Sequence, residues 1–155
     1  MKPFRRLLVS LALLLAIAPL AAVAQSDAAP GDSPVGTWKT IDDDTGKAKA
    51  LVQITENNGV LSGKVIKVLQ SEQGPNPRCT KCDGERHNQP VEGMTILWGL
   101  TRDGDEWTGG KILDPKKGST YKCKMRLMDG GQKLRVRGFI GFSLLGRTQI
   151  WVREK

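Results

Sequence analysis

From position 36 onward the sequence repeats one unit, a run of alternating apolar and polar residues followed by a chain reversal. Eight runs can be read: GTWKTI (36–41), KALVQITE (49–56), VLSGKVIKVL (60–69), MTILWGLTR (94–102), EWTGGKIL (106–113), TYKCKMRLM (120–128), KLRVRGFI (133–140) and GRTQIWVR (146–153). A period of two marks a strand with one face buried, and almost nothing here follows the helical period. Three reversals are short and carry glycine: Asn57-Asn58-Gly59, Asp103-Gly104-Asp105 and Asp129-Gly130-Gly131. Tight hairpins need positive φ at their centre, which glycine and asparagine supply. The other four, at 42–47, 70–93, 114–119 and 141–146, are longer or odder. In an up-and-down meander alternate connections fall at opposite ends, so the three plain turns share one end and the four elaborate loops the other.

Eight antiparallel strands expose two edges unless the sheet closes, and closure at eight leaves room for packed side chains or one small ligand. The expected fold is therefore all-β, an eight-stranded antiparallel up-and-down barrel. A β-sandwich satisfies the same pattern. LSGKV (61–65) echoes WTGGKI (107–112), each just after a tight turn, and glycines inside strands permit the bending that a small barrel requires.

The N-terminus has a basic head, Lys2, Arg5 and Arg6, then an apolar run from Leu7 to Leu20 and the small-x-small site Ala22-Val23-Ala24. This reads as a secretory signal peptide over 1–24, cleaved after Ala24, since the apolar run is too short to span a bilayer comfortably. Its loss lowers the formal net charge of +8 by three. Residues 25–35, rich in Ala, Ser, Asp and Pro, read as a flexible lead-in to a single barrel domain over 36–155. The expected location is the periplasm or the secreted fraction, with no transmembrane segment in the mature chain. The residual basicity favours anionic partners such as lipid headgroups or acidic glycans, and export argues against nucleic acid.

Gly36-Thr37-Trp38 resembles the G-x-W signature of lipocalins and their relatives. That resemblance implies an Arg of the last strand lying across the Trp at the closed end. Arg153 ends the last run, and parity places it at the same end as Trp38. GTWKTIDDDTGKAKA, CTKC, PVEGMTILWGL, WTGGKILDPKKGSTYKCK and LRVRGFIGFSLLGRTQIWVR resemble, over nearly the whole chain after the leader, the exported bacterial family known as domain of unknown function 2147. The resemblance implies a lipocalin-like barrel and an exported location, and it implies no activity.

CTKCDGERH (79–87) holds two of three cysteines and the single histidine. Cys79, Cys82 and His87 match three ligands of a zinc knuckle, but the fourth position is Glu92, and thiolates compete poorly with oxidation outside the cytoplasm. A redox pair needs a helix N-terminus or a cation beside the first thiol. Arg78 and Lys81 are near, yet no helical run or βαβ pattern flanks them. The favoured reading is a Cys79–Cys82 disulfide that stiffens a long loop. Cys123 alternates with Tyr121, Met125 and Leu127 on the inward face, and so is read as a reduced interior residue.

The opposite face of that hairpin carries Lys122, Lys124, Arg126, Lys133, Arg135 and Arg137. This is either a solvated outer wall or a docking stripe for anionic lipid or glycan. GFIGFSLLGRT (138–148) is apolar for a connection, and its Phe139, Phe142, Leu144 and Leu145 either fold inward as a lid or form a hydrophobic rim. Arg147 can pair with one of Asp42 to Asp44 or with an acidic group on a ligand. No G-x-S-x-G elbow, phosphate loop or HExxH occurs, and the aspartate run lacks the spacing of a calcium loop. We expect neither catalysis nor cofactor nor metal. The expected function is binding of a small apolar or amphipathic molecule at the loop-rich end. Tyr121, Met125, Leu134 and Val136 would form its wall, and Phe142, Leu144, Leu145 and Arg147 its mouth. The competing expectation is an envelope interaction protein that uses the cationic stripe or the apolar loop.

Overall fold

The computed structural model describes residues 31–155, so the expected leader over 1–24 and the first part of the expected lead-in lie outside the described residues. Eight strands follow in order: β1 (Gly36–Ile41), β2 (Ala48–Asn57), β3 (Val60–Val68), β4 (Thr95–Asp103), β5 (Glu106–Asp114), β6 (Ser119–Met128), β7 (Lys133–Phe139) and β8 (Gly146–Arg153). Each pairs antiparallel with the next, and β8 pairs back onto β1. The barrel is closed, which sets aside the sandwich alternative.

The seam between β8 and β1 is short, with Trp38 opposite Arg153 and Lys39 opposite Val152. Tight turns lie at the seam end. In the β2–β3 turn Asn58 (φ 50°) and Gly59 (φ 77°) both take the left-handed conformation. A two-residue primed turn demands this, because its twist matches that of the strands. Irregular register in β3–β4 and β5–β6 falls around Gly99 and Gly109, both at positive φ, and bends the strands where the wall must curve.

The interior divides into two halves. Toward the tight turns Trp38, Val52, Ile54, Leu61, Leu97, Leu100, Met125 and Leu134 are all essentially inaccessible, and the barrel is filled. Toward the loops the walls part.

The end of the lead-in is clasped where the sequence suggests flexibility. The Trp38 indole N–H donates to the Pro34 carbonyl at 2.7 Å. Arg153 donates to the carbonyls of Gly131 (2.6 Å), Val35 (3.0 Å) and Ser33 (2.9 Å). Its guanidinium carbon sits 4.2 Å from the Trp38 ring centroid. Burial pulls the Arg153 guanidinium down from its ordinary pKa, while three carbonyls and the indole face satisfy the charge it keeps.

Candidate functional site

The four loops surround a cavity of about 990 Å³ that opens at their end of the barrel. Its deeper walls include Val65, Ile96, Ile112, Tyr121, Val136 and Trp151. Its mouth is mixed in charge, with Asp42, Asp44, Lys49, Glu72, Arg78 and Lys116 among the lining residues. An apolar interior under a charged rim suits a molecule with one greasy and one polar end.

The β1–β2 turn forms one side of the mouth. Asp42 accepts hydrogen bonds from the Thr45 hydroxyl and backbone N–H, both at 2.9 Å, and Lys49 lies 3.2 Å away. These contacts hold its carboxyl down to about 2, the two Thr45 bonds contributing most and Lys49 adding to them. A depressed carboxylate pKa favours the folded turn above the ordinary value of 3.8, and that preference fades as pH falls toward about 2. In a carboxyl-carbon NMR titration Asp42 should therefore show a midpoint near 2, and a midpoint near 4 would mean that the turn is not capped in this way.

The segment between β3 and β4 forms the adjoining side, where Leu69 N and Gln70 N donate to Lys49 O. Although long, it is a small folded unit. Arg78 bridges to Pro90, Asn88 N donates to Cys79 O (2.9 Å), and Val91 N donates to Pro77 O (2.9 Å). Cys79 and Cys82 form a disulfide and are both buried. The two sulfurs thus bind each other, and the His87 Nδ1–H donates to Cys82 O at 2.9 Å. Glu92 accepts from Val68 N at 2.7 Å. Cys79, Cys82 and His87 are therefore engaged within their own loop, and Glu92 with the end of β3. The Cys79 sulfur lies 3.2 Å from the Pro115 carbonyl oxygen, and Arg86 stacks 4.6 Å above Trp98 on the outer wall. A Cβ at Gly118 would overlap the Lys81 carbonyl and stand 2.8 Å from Cys82 N. The disulfide loop thus sits backbone to backbone on the β5–β6 loop, and Gly118 (φ 70°) is what allows it.

Cys123 is buried and unbridged. Desolvation pushes its thiol up to about 12, so almost no thiolate exists at neutral pH. We expect it to resist iodoacetamide in the native protein at mildly alkaline pH and to react fully in guanidinium; rapid native labelling would contradict this burial.

Not every residue read from the sequence reaches the cavity. Tyr121 and Val136 line it, whereas Met125 and Leu134 belong to the filled half. Each is paired across the sheet with a lining residue, Met125 with Val136 and Leu134 with Trp151, so the boundary between the hollow and the filled half runs between them. Of the apolar loop, Phe139 and Leu145 reach the lining. Phe142 and Leu144 project outward instead, 81% and 88% exposed. The reason is Arg137, whose guanidinium holds the Ser143 carbonyl (2.6 Å), the Leu144 carbonyl (3.2 Å) and the Thr148 hydroxyl (2.8 Å) from the outer face. Arg147 is at the mouth and pairs with Asp43 at 2.6 Å; this hydrogen bond is the main cause of its raised pKa. In the cationic stripe Lys124 pairs with Glu106 (3.4 Å), Arg126 with Asp105 (3.5 Å) and Lys133 with Asp129 (2.7 Å), while Lys122 and Arg135 stay exposed.

Sequence reasoning missed Val65, Ile96, Ile112, Trp151 and the contribution of Pro77, Arg78 and Val91. Trp151 was within reach, since it lies two residues from Arg153 and shares its face. Ile96 and Ile112 were not, because counting by twos fails across the irregular pairings near Gly99 and Gly109.

A family described as "Uncharacterized protein conserved in bacteria (DUF2147)" matches residues 36–153. Among solved structures the chain is similar to one described as "Protein HP1028 from the human pathogen Helicobacter pylori belongs to the lipocalin family". The two share 19% sequence identity with a TM-score of 0.68, over 79% of this chain and 84% of the other. At that identity the likeness speaks for the fold. A search of curated proteins gave no match.

Proposed function

The chain belongs to the DUF2147 family of bacterial proteins, and on that premise we propose that it is an exported binder of a small apolar or amphipathic molecule held in the loop-end cavity. The observation that carries this reading is the hollow itself, about 990 Å³ of space above a solid core. A barrel selected only for stability gains by filling such space, because empty apolar volume forfeits dispersion contacts. Export is supported by the leader over 1–24 and by the buried disulfide, which suits an oxidising compartment. No helix among the described residues is long and apolar enough to cross a membrane.

Trp151 is the one tryptophan of four that lines the cavity, which makes it a reporter. With the amphiphile N-phenyl-1-naphthylamine as probe, binding should saturate and should quench Trp151 emission. The quenching should vanish in Trp151→Phe. Ala50 and Val136 both line the cavity, so Ala50→Phe and Val136→Phe should each weaken probe binding by about tenfold through steric filling, the factor that corresponds to about 1.4 kcal/mol. Unchanged affinity in both, with the fold intact by circular dichroism, would remove the cavity from consideration. Native mass spectrometry of protein taken gently from its own periplasm adds the identity of a retained molecule.

A further inference from the structure

The β7–β8 turn presents Ile140, Phe142, Leu144 and Leu145 to solvent at 67%, 81%, 88% and 71% exposure. Four large apolar side chains on one short turn are costly in water and rarely persist without a use. This turn is also built to leave water. Ile140 N donates to Leu145 O at 3.1 Å and Leu145 N to Phe142 O at 3.1 Å. The carbonyls of Ser143 and Leu144 are taken by Arg137. These backbone groups have partners before any contact is made, which removes the main penalty for entering a low-dielectric phase.

Charge is arranged around the same feature. On the outer face of β6 and β7, three cations are matched by carboxylates, Lys124 by Glu106, Arg126 by Asp105 and Lys133 by Asp129. Lys122, opposite Phe139 at the foot of the turn, has no carboxylate partner among the described residues, and neither do Arg135 and Arg137. The acidic β1–β2 turn on the other flank is partly neutralised, Asp43 by Arg147 and Asp42 by Lys49. Two of the three unpaired cations, Lys122 and Arg137, thus stand close beneath the apolar turn, and the third, Arg135, follows farther along the same face of β7.

We propose that this turn and the cations beneath it form a docking edge for an anionic lipid surface, the apolar side chains entering the headgroup boundary while Lys122, Arg135 and Arg137 face the phosphates. A membrane accepts a convex apolar projection, whereas a protein partner must supply a matching groove. The edge adjoins the cavity mouth, to which Leu145 and Phe139 also contribute. A molecule released from a bilayer at this edge has a short path into the barrel. The docking edge does not depend on the cavity being a binding site, because the residues that test it, Phe142, Leu144, Lys122 and Arg135, do not line the cavity and its readout is separate.

The test is flotation of the protein without its leader with vesicles of phosphatidylcholine, with and without phosphatidylglycerol. Binding is expected to the anionic vesicles and to fall with added salt. Phe142→Ser with Leu144→Ser should weaken it at least about tenfold. Lys122→Gln and Arg135→Gln should each weaken it about fivefold. All four side chains are exposed, so the melting temperature should not move. Absence of binding to anionic vesicles overturns the proposal, as does binding that ignores the turn variants. Concentration-dependent dimerisation abolished by Phe142→Ser, without vesicle binding, would also overturn it and assign the turn to a second copy of the chain.

Discussion

Truncation of Trp38 to alanine is expected to destabilise the barrel by about 3–5 kcal/mol, the range for removing a fully buried large aromatic. The side chain is inaccessible, its indole N–H satisfies the Pro34 carbonyl, and its face carries Arg153. Alanine would leave a void, an unpaired carbonyl and a guanidinium without its aromatic platform. The damage would fall on a seam of only two residue pairs. Trp38→Phe keeps most of the ring and loses the hydrogen bond, so it should cost less, about 1–2 kcal/mol. Urea unfolding gives both numbers from shifts in midpoint at constant slope. A loss below about 1 kcal/mol for the alanine variant would mean that the seam is held elsewhere, since even one buried methylene counts for about that much.

Gly118→Ala is expected to be the most harmful single-methyl change at the loop end. Two effects combine: a left-handed conformation that costs a side-chain residue about 1–2 kcal/mol, and overlap with the Lys81 carbonyl, where overpacking costs about 1–3 kcal/mol. Backbone cannot rotate away as a side chain does, so the disulfide loop must lift from the β5–β6 loop. Gly46 has φ 67° with no atom within 4 Å of an added Cβ, so Gly46→Ala isolates the conformational part. The difference between the two variants in thermal unfolding measures the contact alone. Hydrogen exchange should then be faster across residues 77–91 in Gly118→Ala and unchanged in Gly46→Ala. Equal losses in the two would show that the loops do not press on each other.

How much of this was legible in the sequence follows from the range of each interaction. Strand existence and order were readable, because alternation and turn chemistry are local; each of the eight runs lies within one residue of its strand at either end. Closure was readable because Trp38 and Arg153 sit at corresponding ends of the first and last runs. The depth of the cavity was not readable. Whether Val136 faces empty space and Leu134 packed neighbours depends on how far the walls diverge at a given height, which no single strand records. The choice between an inward and an outward pose for Phe142 and Leu144, both open in the sequence, was not readable for a related reason. It depends on a guanidinium six or seven positions before the carbonyls it holds reaching their loop from outside, and composition alone does not decide it.

The clasp of Ser33 and Val35 onto Arg153 has a practical consequence. It brings the chain's entry into the barrel and its exit side by side, at the pole opposite the mouth. Anything fused or anchored through the C-terminus is thereby kept clear of the opening. A copy immobilised by that end on a solid support should present its mouth outward, with every molecule oriented alike.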